Sequence, residues 1–170
     1  MAQLTARMEF TARRYGPRFA AISVTLLRIS LGIVFFWFGV LKFFPDLSPA
    51  QELATRTIAT LTFGVIQPNV SAPMLAAWEC IIGLGLITNR FMGLTLGLLL
   101  LQMAGTFTPL ILFPQETWMK FPIAPTMEGQ YILKNMVLVS SALVIAAASL
   151  GMLGPVAKRA TATYKAVNID

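Results

Sequence analysis

The sequence contains no histidine and a single cysteine, Cys80. Without histidine, the chain cannot hold a haem iron through an imidazole or build a histidine-containing zinc site. One cysteine allows neither an internal disulfide nor a CxxC redox motif. These absences exclude the commonest metal and thiol chemistries, so we expect no metal site and no covalently bound cofactor.

Charge is also scarce, since only 12% of the 170 residues are charged while 56% are hydrophobic. A soluble globular domain has about a quarter of its residues charged. A chain of this length has too small an interior to bury so much apolar surface, so we expect much of it to face lipid. The length suits one compact unit rather than two domains.

Four long apolar stretches occupy residues 21–44, 73–88, 91–113 and 131–154. Each is close to the length that a helix needs to cross a hydrocarbon core, the second being the shortest. Backbone polar groups in lipid must be satisfied within the protein, and the absence of strand-like alternation favours helices over a barrel. The sequence therefore predicts an all-α fold, a four-helix transmembrane bundle.

Most of the lysines and arginines lie in two tails, residues 1–20 and 155–170, and Arg90 lies in the tight second connection. The positive-inside rule then predicts that both tails are cytoplasmic and that anionic lipids contact them. The first tail fits either an interfacial helix or a disordered segment. No basic face on a folded domain is predicted, so we expect no nucleic-acid partner.

The two outer connections differ in pattern. Residues 48–66 carry an apolar stripe at helical spacing, which predicts a short interfacial helix in the first outer loop. Residues 114–130 contain three prolines together with Trp118 and Phe121, which predicts an irregular aromatic cap. Pro109 predicts a kink near the outer end of the third helix.

Four ionisable residues lie inside the apolar stretches: Arg28, Lys42, Glu79 and Lys134. Such groups are costly in lipid and usually face the interior of a bundle. Helix direction places Lys42, Glu79 and Lys134 in the outer half, with Glu79 about 10 Å below the outer end of its span. Arg28 lies towards the cytoplasmic side, where it can extend to the interface. The cluster is either an outward-opening ligand pocket or a structural ion pair that sets helix register.

Small residues recur on the same helix faces as these charges. The glycines that we expect at helix-packing positions are Gly32, Gly39, Gly83, Gly93 and Gly97. Glycine lets neighbouring helix backbones approach closely in a membrane, and Gly93 with Gly97 forms a GxxxG motif. Such faces also suit self-association or contact with other membrane subunits.

Four segments carry a family resemblance: LLRISLGIVFFWFGVLKFFP (residues 26–45), WECIIGLGLITNRFMGL (78–94), FTPLILF (107–113) followed by ETW (116–118), and EGQYILKNMVLVSSALVI (128–145). In order, they contain Arg28, Gly39 with Lys42, Glu79 with Gly83, and Gly129 with Lys134. Together these elements resemble the YkgB-like family of bacterial inner-membrane proteins, which is related to the wider DoxX-like group.

The resemblance implies a four-helix bundle in the bacterial inner membrane and a link to redox or oxidative stress. Some relatives are linked to resistance against reactive chlorine, and others to membrane redox systems that include thiosulfate:quinone oxidoreductase. Quinone is thus a candidate ligand near Glu79, but no residue is assigned as catalytic, and we expect no enzyme activity from the chain alone. The alternative is a non-catalytic accessory subunit that packs against a larger membrane complex.

Overall fold

The computed structural model describes residues 2–44, 47–48 and 51–152, with side chains from Tyr15 onward. The predicted C-terminal tail, residues 155–170, lies outside the described residues. The helices are α1 (Ala2–Leu41), α2 (Gln51–Leu61), α3 (Pro68–Thr88), α4 (Met92–Phe107), α5 (Pro109–Leu112), α6 (Pro114–Thr117) and α7 (Met127–Ser149). Two short strands, β1 (Trp118–Lys120) and β2 (Ala124–Pro125), pair antiparallel between α6 and α7.

Four helical segments among the described residues are long and apolar enough to span a membrane: Tyr15–Leu41, Pro68–Thr88, Met92–Leu112 and Met127–Ser149. The third of them joins α4 and α5 across a break at Pro109, where the sequence predicts a kink. The prediction of an all-α four-helix transmembrane bundle is confirmed.

The spans do not start where the apolar stretches start. Helix α3 begins at Pro68 rather than at residue 73, because proline is well tolerated at the first position of a helix, where its missing N–H has no partner to lose. Helix α7 begins at Met127, where the Thr126 hydroxyl accepts a hydrogen bond from the Gly129 N–H at 3.2 Å. Both helices therefore begin several residues earlier in the chain than hydrophobicity alone indicates.

The backbone of residues 2–20 is helical and continues without a break into the first span. The position of this segment at a membrane interface stays a prediction.

The spans pack as a ring in the order α1, α3, α4, α7 and back to α1, with the most extensive interface between α1 and α3. Helix α7 is therefore diagonally opposite α3. The core between the helices is formed by Leu31, Phe35, Ile82, Leu86, Leu96, Leu99, Met103, Ala142 and Ile145. The rest of each span is largely exposed, as expected where lipid is the solvent.

Three glycines allow the close approach of α1 and α3. A Cβ atom on Gly83 would lie 2.5 Å from the Phe36 backbone nitrogen, and one on Gly39 would lie 2.9 Å from the Cys80 backbone nitrogen. On Gly32 it would lie 3.0 Å from the Gly83 carbonyl oxygen. These distances are shorter than real contacts permit, so the helices could not approach as closely with side chains there.

Gly93 and Gly97 behave differently, since no atom of the described residues lies within 4 Å of a Cβ placed on either. The GxxxG motif of α4 therefore faces away from the other helices that the structure describes.

We call the end of the bundle that carries α2, α5, α6 and the β1–β2 hairpin the capped end. Helix α2 packs on α3 and α5 and is shorter than the predicted 48–66 segment, because the chain turns after Leu61 through Phe63 and Gly64, which have φ of 52° and 80°. Its predicted location at the membrane interface stays a prediction. The prediction of an irregular second loop is wrong for residues 118–125, because they form the β-hairpin.

Candidate functional site

The Glu79 cluster consists of Lys42, Glu79 and Gln102, which come from the end of α1, from α3 and from α4. The Lys42 Nζ lies 2.6 Å from the Glu79 Oε2, and the Gln102 Nε2 donates to the Glu79 Oε1, also at 2.6 Å. The side chains of Lys42 and Glu79 each retain only 10% exposure. Both carboxylate oxygens are therefore engaged by donors from two other helices.

The glycine at position 39 brings the ion pair together. Gly39 lies one turn before Lys42, and a Cβ atom there would come within 2.9 Å of the Glu79 Cβ. Without that side chain, α3 approaches α1 closely enough for the short reach from Lys42 to Glu79. The Lys42 ammonium also donates to the Phe38 carbonyl at 3.4 Å, so its side chain points back towards the preceding turn of α1.

Glu79 lies further from the start of its helix than the sequence predicts, because α3 begins earlier, at Pro68. Glu79 is eleven residues beyond Pro68, about 16 Å along a helix of about 30 Å, rather than about 10 Å from its start. Helix α1 ends beside it, so the first two turns of α3 extend beyond α1 towards the capped end. Helix α2 packs against α3, and its residues line a cavity together with Met74 and Trp78 of this part of α3.

Lys134 does not join the cluster. Its side chain is exposed, and its ammonium lies 5.2 Å from the centre of the Tyr131 ring. It forms no ion pair with any residue that the structure describes. The reason is its position on the helix, because the buried face of α7 is formed by Ile132, Ala142 and Ile145, and Lys134 lies on the exposed face.

Arg28 lies at the other end of the α1–α3 interface and also stays apart from the cluster. Its guanidinium donates to the carbonyls of Leu86 and Ile87, the latter at 3.0 Å, in the last turn of α3. Carbonyls in the last turn of a helix have no intrahelical partner, and a cation also suits the negative end of the helix dipole. Arg28 therefore links two helices and is about 21 Å along α1 from Lys42.

Gln102 is the functional candidate that the sequence analysis missed. It is a neutral amide, whereas the predicted cluster consists of ionisable residues inside the apolar stretches. The available signal was a lone glutamine within a run of leucines. A buried polar side chain in a membrane helix needs partners as an ionisable one does.

A cavity of about 240 Å³ adjoins the cluster between α2 and the helices α3, α4 and α5. Its wall is mainly apolar and includes Leu53, Ile58 and Leu61 of α2 and Met74 and Trp78 of α3. Gln102 also lines it, so one wall residue of the cavity is hydrogen-bonded to Glu79.

The other polar groups of the cavity wall already donate hydrogen bonds. The Trp78 Nε1 donates to the Leu98 carbonyl at 3.3 Å. The hydroxyls of Thr57 and Thr106 donate to carbonyls of their own helices, at 2.6 Å and 2.9 Å. In the described part of the chain, the side-chain oxygen Oε1 of Gln102 is buried and has no hydrogen-bond partner.

The acidic and thiol side chains of the described residues do not form a metal-ligating cluster. Across residues 2–44, 47–48 and 51–152, no three side chains of histidine, cysteine, aspartate or glutamate lie together. The Glu79 carboxylate is neutralised by a lysine rather than left free for a cation.

Comparison with known proteins gives one match. The sequence profile of the DoxX family matches residues 23–113, a little more than half of the chain. The matched region runs from the first span to the end of α5 and contains the whole Glu79 cluster. No curated protein and no solved structure matches the chain. This multi-pass membrane protein belongs to the DoxX family.

Proposed function

We propose that this DoxX-family protein binds a small lipophilic molecule, a quinone or a similar single-ring compound, within a membrane redox or oxidative-stress system. The observation that supports the proposal is the apolar cavity of about 240 Å³ whose wall residue Gln102 is hydrogen-bonded to Glu79. Small-molecule sites typically combine apolar walls with a few placed polar groups. The link to redox chemistry rests on the family resemblance.

The size of the cavity agrees with a single substituted ring. An apolar protein cavity of about 150 Å³ takes up benzene, so about 90 Å³ more leaves room for several substituents. The indole of Trp78 supplies a flat wall against which a ring can pack. A longer isoprenoid tail would have to leave the cavity towards the lipid.

The test compares the wild-type protein with two variants. It measures the quinone that stays bound after purification from membranes and the binding of added short-chain quinone. Ala54→Phe fills the cavity from α2, whereas Ala77→Phe makes the same change at an exposed position of α3. We expect quinone to be lost from the first variant and retained by the second. Failure of the wild-type protein to retain or bind quinone would refute the proposal.

A second candidate function, an accessory subunit of a larger membrane complex, is favoured by the outward-facing glycines of α4. Gly93 and Gly97 have open space beside them, as a site for a second helix requires. Native mass spectrometry after gentle solubilisation tests it. A partner or a second copy that is lost in Gly97→Leu would support this function, and a monomer under all conditions would exclude it.

We further propose that the protein lies in a bacterial inner membrane, with the capped end outside and both termini cytoplasmic. The basic residues of the N-terminal segment and Arg90 support this orientation, and anionic lipids would contact them. In a Cys80→Ser background, a membrane-impermeant maleimide should label Phe63→Cys in intact cells but not Thr88→Cys. The opposite labelling would reverse the orientation.

A further inference from the structure

The cavity between α2 and the helices α3, α4 and α5 is partly open to the surroundings of the protein. Three of its wall residues are exposed, and each comes from a different helix: Leu61 of α2 is 48% exposed, Met74 of α3 42% and Leu101 of α4 62%. All the other wall residues are buried or half-buried. The opening therefore lies at these three side chains, which we call the mouth of the cavity.

The mouth lies at a depth where the membrane consists of hydrocarbon. Met74 is six residues into α3, about 9 Å from the start of that helix at the capped end. Leu101 is near the middle of the Met92–Leu112 span, nine residues from one end and eleven from the other. A hydrocarbon core is about 30 Å thick, so both positions lie within it.

The mouth residues of α3 and α4 each begin an exposed stripe at helical spacing. The stripes consist of Met74, Ala77 and Ile81 on α3 and of Leu101, Gly97 and Leu94 on α4. None of these residues has a polar or charged side chain, as expected of helix faces that contact lipid. Both stripes lead from the mouth away from the capped end, so an apolar chain that leaves the mouth can follow them within the hydrocarbon.

The cavity is closed on the side of the capped end. There its wall is formed by Leu53 and Ile58 of α2 and by Pro109 of α5, and none of the three is exposed. A molecule that arrives from water at this end would have to displace α2 or α5. A molecule that is dissolved in the membrane meets the opening directly.

We propose that the cavity takes its ligand sideways from the hydrocarbon through the mouth, and that this ligand is a ring compound with a single apolar tail that stays in the lipid. A substituted ring already occupies the volume of about 240 Å³, so a tail has to pass out between Met74 and Leu101. This inference rests on the proposed function, because it specifies the tail and the entry route of the ligand of the same cavity.

The test uses a benzoquinone whose ten-carbon tail ends in a carbene-forming diazirine. The probe is added to the full-length wild-type protein in lipid nanodiscs and illuminated, and mass spectrometry locates the residues to which the tail is coupled. Excess quinone with the same tail but no diazirine identifies the coupling that depends on the cavity, since probe that is merely dissolved in lipid is not displaced. We expect the displaced coupling at Met74, at Leu101 and along the two stripes.

Two substitutions on α4 test the route by its kinetics. Leu101→Phe enlarges a mouth residue, whereas Leu94→Phe makes the same change on the same stripe but outside the cavity wall. A side chain that has to move aside hinders entry and exit alike. We therefore expect Leu101→Phe to slow association and dissociation of the tailed quinone at least about fivefold each, with little change in affinity, and Leu94→Phe to change neither rate.

The outcomes separate this inference from the proposed function. If the displaced coupling lies on α2, α6 or the β-hairpin, the tail leaves through the capped end, and the lateral route is wrong while the cavity remains a ligand site. The same conclusion follows if Leu101→Phe lowers the affinity without slowing association. If excess quinone displaces coupling at no position, the proposed function itself fails.

Discussion

Two basic residues, Arg28 of α1 and Lys42 directly after its end, contact α3 in different ways. Arg28 donates to backbone carbonyls at the end of α3, whereas Lys42 pairs with the Glu79 carboxylate near the middle of that helix. Backbone carbonyls are present in every helix end, whatever its sequence. A carboxylate in the interior of a helix is specific to the sequence, because it depends on a single residue, here Glu79.

This difference indicates which of the two contacts can affect ligand binding as well as stability. The Arg28 contact involves no other side chain that the structure describes at that end, so it acts as a link between helices. The Lys42 contact continues through Glu79 to Gln102 and so to the cavity. A change at the Lys42 end should therefore alter both stability and binding, and a change at the Arg28 end should alter stability alone.

The largest effect is expected when Lys42 is replaced by methionine. The variant leaves Glu79 buried without its cation, and loss of one partner from a buried pair costs about 3–5 kcal/mol in the free energy of unfolding. Chemical unfolding in mixed micelles measures it, with the exposed Lys134→Met as the matched control, expected to change stability by less than about 0.5 kcal/mol. Equal effects of the two variants would contradict the assignment of Lys42 to a buried pair.

The next largest effect is expected for Gly83→Ala, which should push α1 and α3 apart and so disturb the contacts of both Arg28 and Lys42 with α3. The added Cβ atom would meet the Phe36 backbone nitrogen at 2.5 Å, and overpacking of this kind costs about 1–3 kcal/mol. Gly93→Ala adds the same methyl group to open space and should not destabilise the protein. If thermal unfolding shows similar losses for both variants, close packing of α1 on α3 is not the cause.

Arg28→Met tests whether the Arg28 end of the α1–α3 interface affects stability alone. It removes charge-assisted hydrogen bonds to two carbonyls, and we expect a loss of about 2 kcal/mol in the free energy of unfolding. Quinone binding should be unchanged in this variant but weakened in Glu79→Gln, since Glu79, unlike Arg28, is hydrogen-bonded to the cavity-lining Gln102. A loss of binding in correctly folded Arg28→Met would show that the two ends are coupled.

The smallest effect concerns the exposed ion pair between Arg56 of α2 and Glu116 of α6, whose side chains are 42% and 47% exposed. A double-mutant cycle with Arg56→Gln and Glu116→Gln should give a coupling of about 0.2–1 kcal/mol, which decreases as salt is added. The buried Lys42–Glu79 pair should show a larger coupling with little dependence on salt. A salt-independent coupling at Arg56 would mean that this pair is shielded from water.

Much of the fold could be predicted from the sequence because it depends on local properties. The length and hydrophobicity of each stretch predict the spans. Helical spacing places Gly32 and Gly39 on one face of α1 with Arg28, and Gly83 on one face of α3 with Glu79. The starts of α3 and α7 were misplaced because Pro68 and Thr126 begin helices by backbone and capping effects that hydropathy does not register.

The amino-acid sequence alone indicates that the spans are surrounded by lipid, how many spans there are and which helix faces carry charge. The tertiary structure decided which faces meet. Lys134 lies on the exposed face of α7, Gln102 of α4 meets Glu79 of α3, and α2 forms one wall of the cavity. Helical periodicity specifies the direction of a side chain within its own helix, but the neighbour that it meets depends on packing among all four helices.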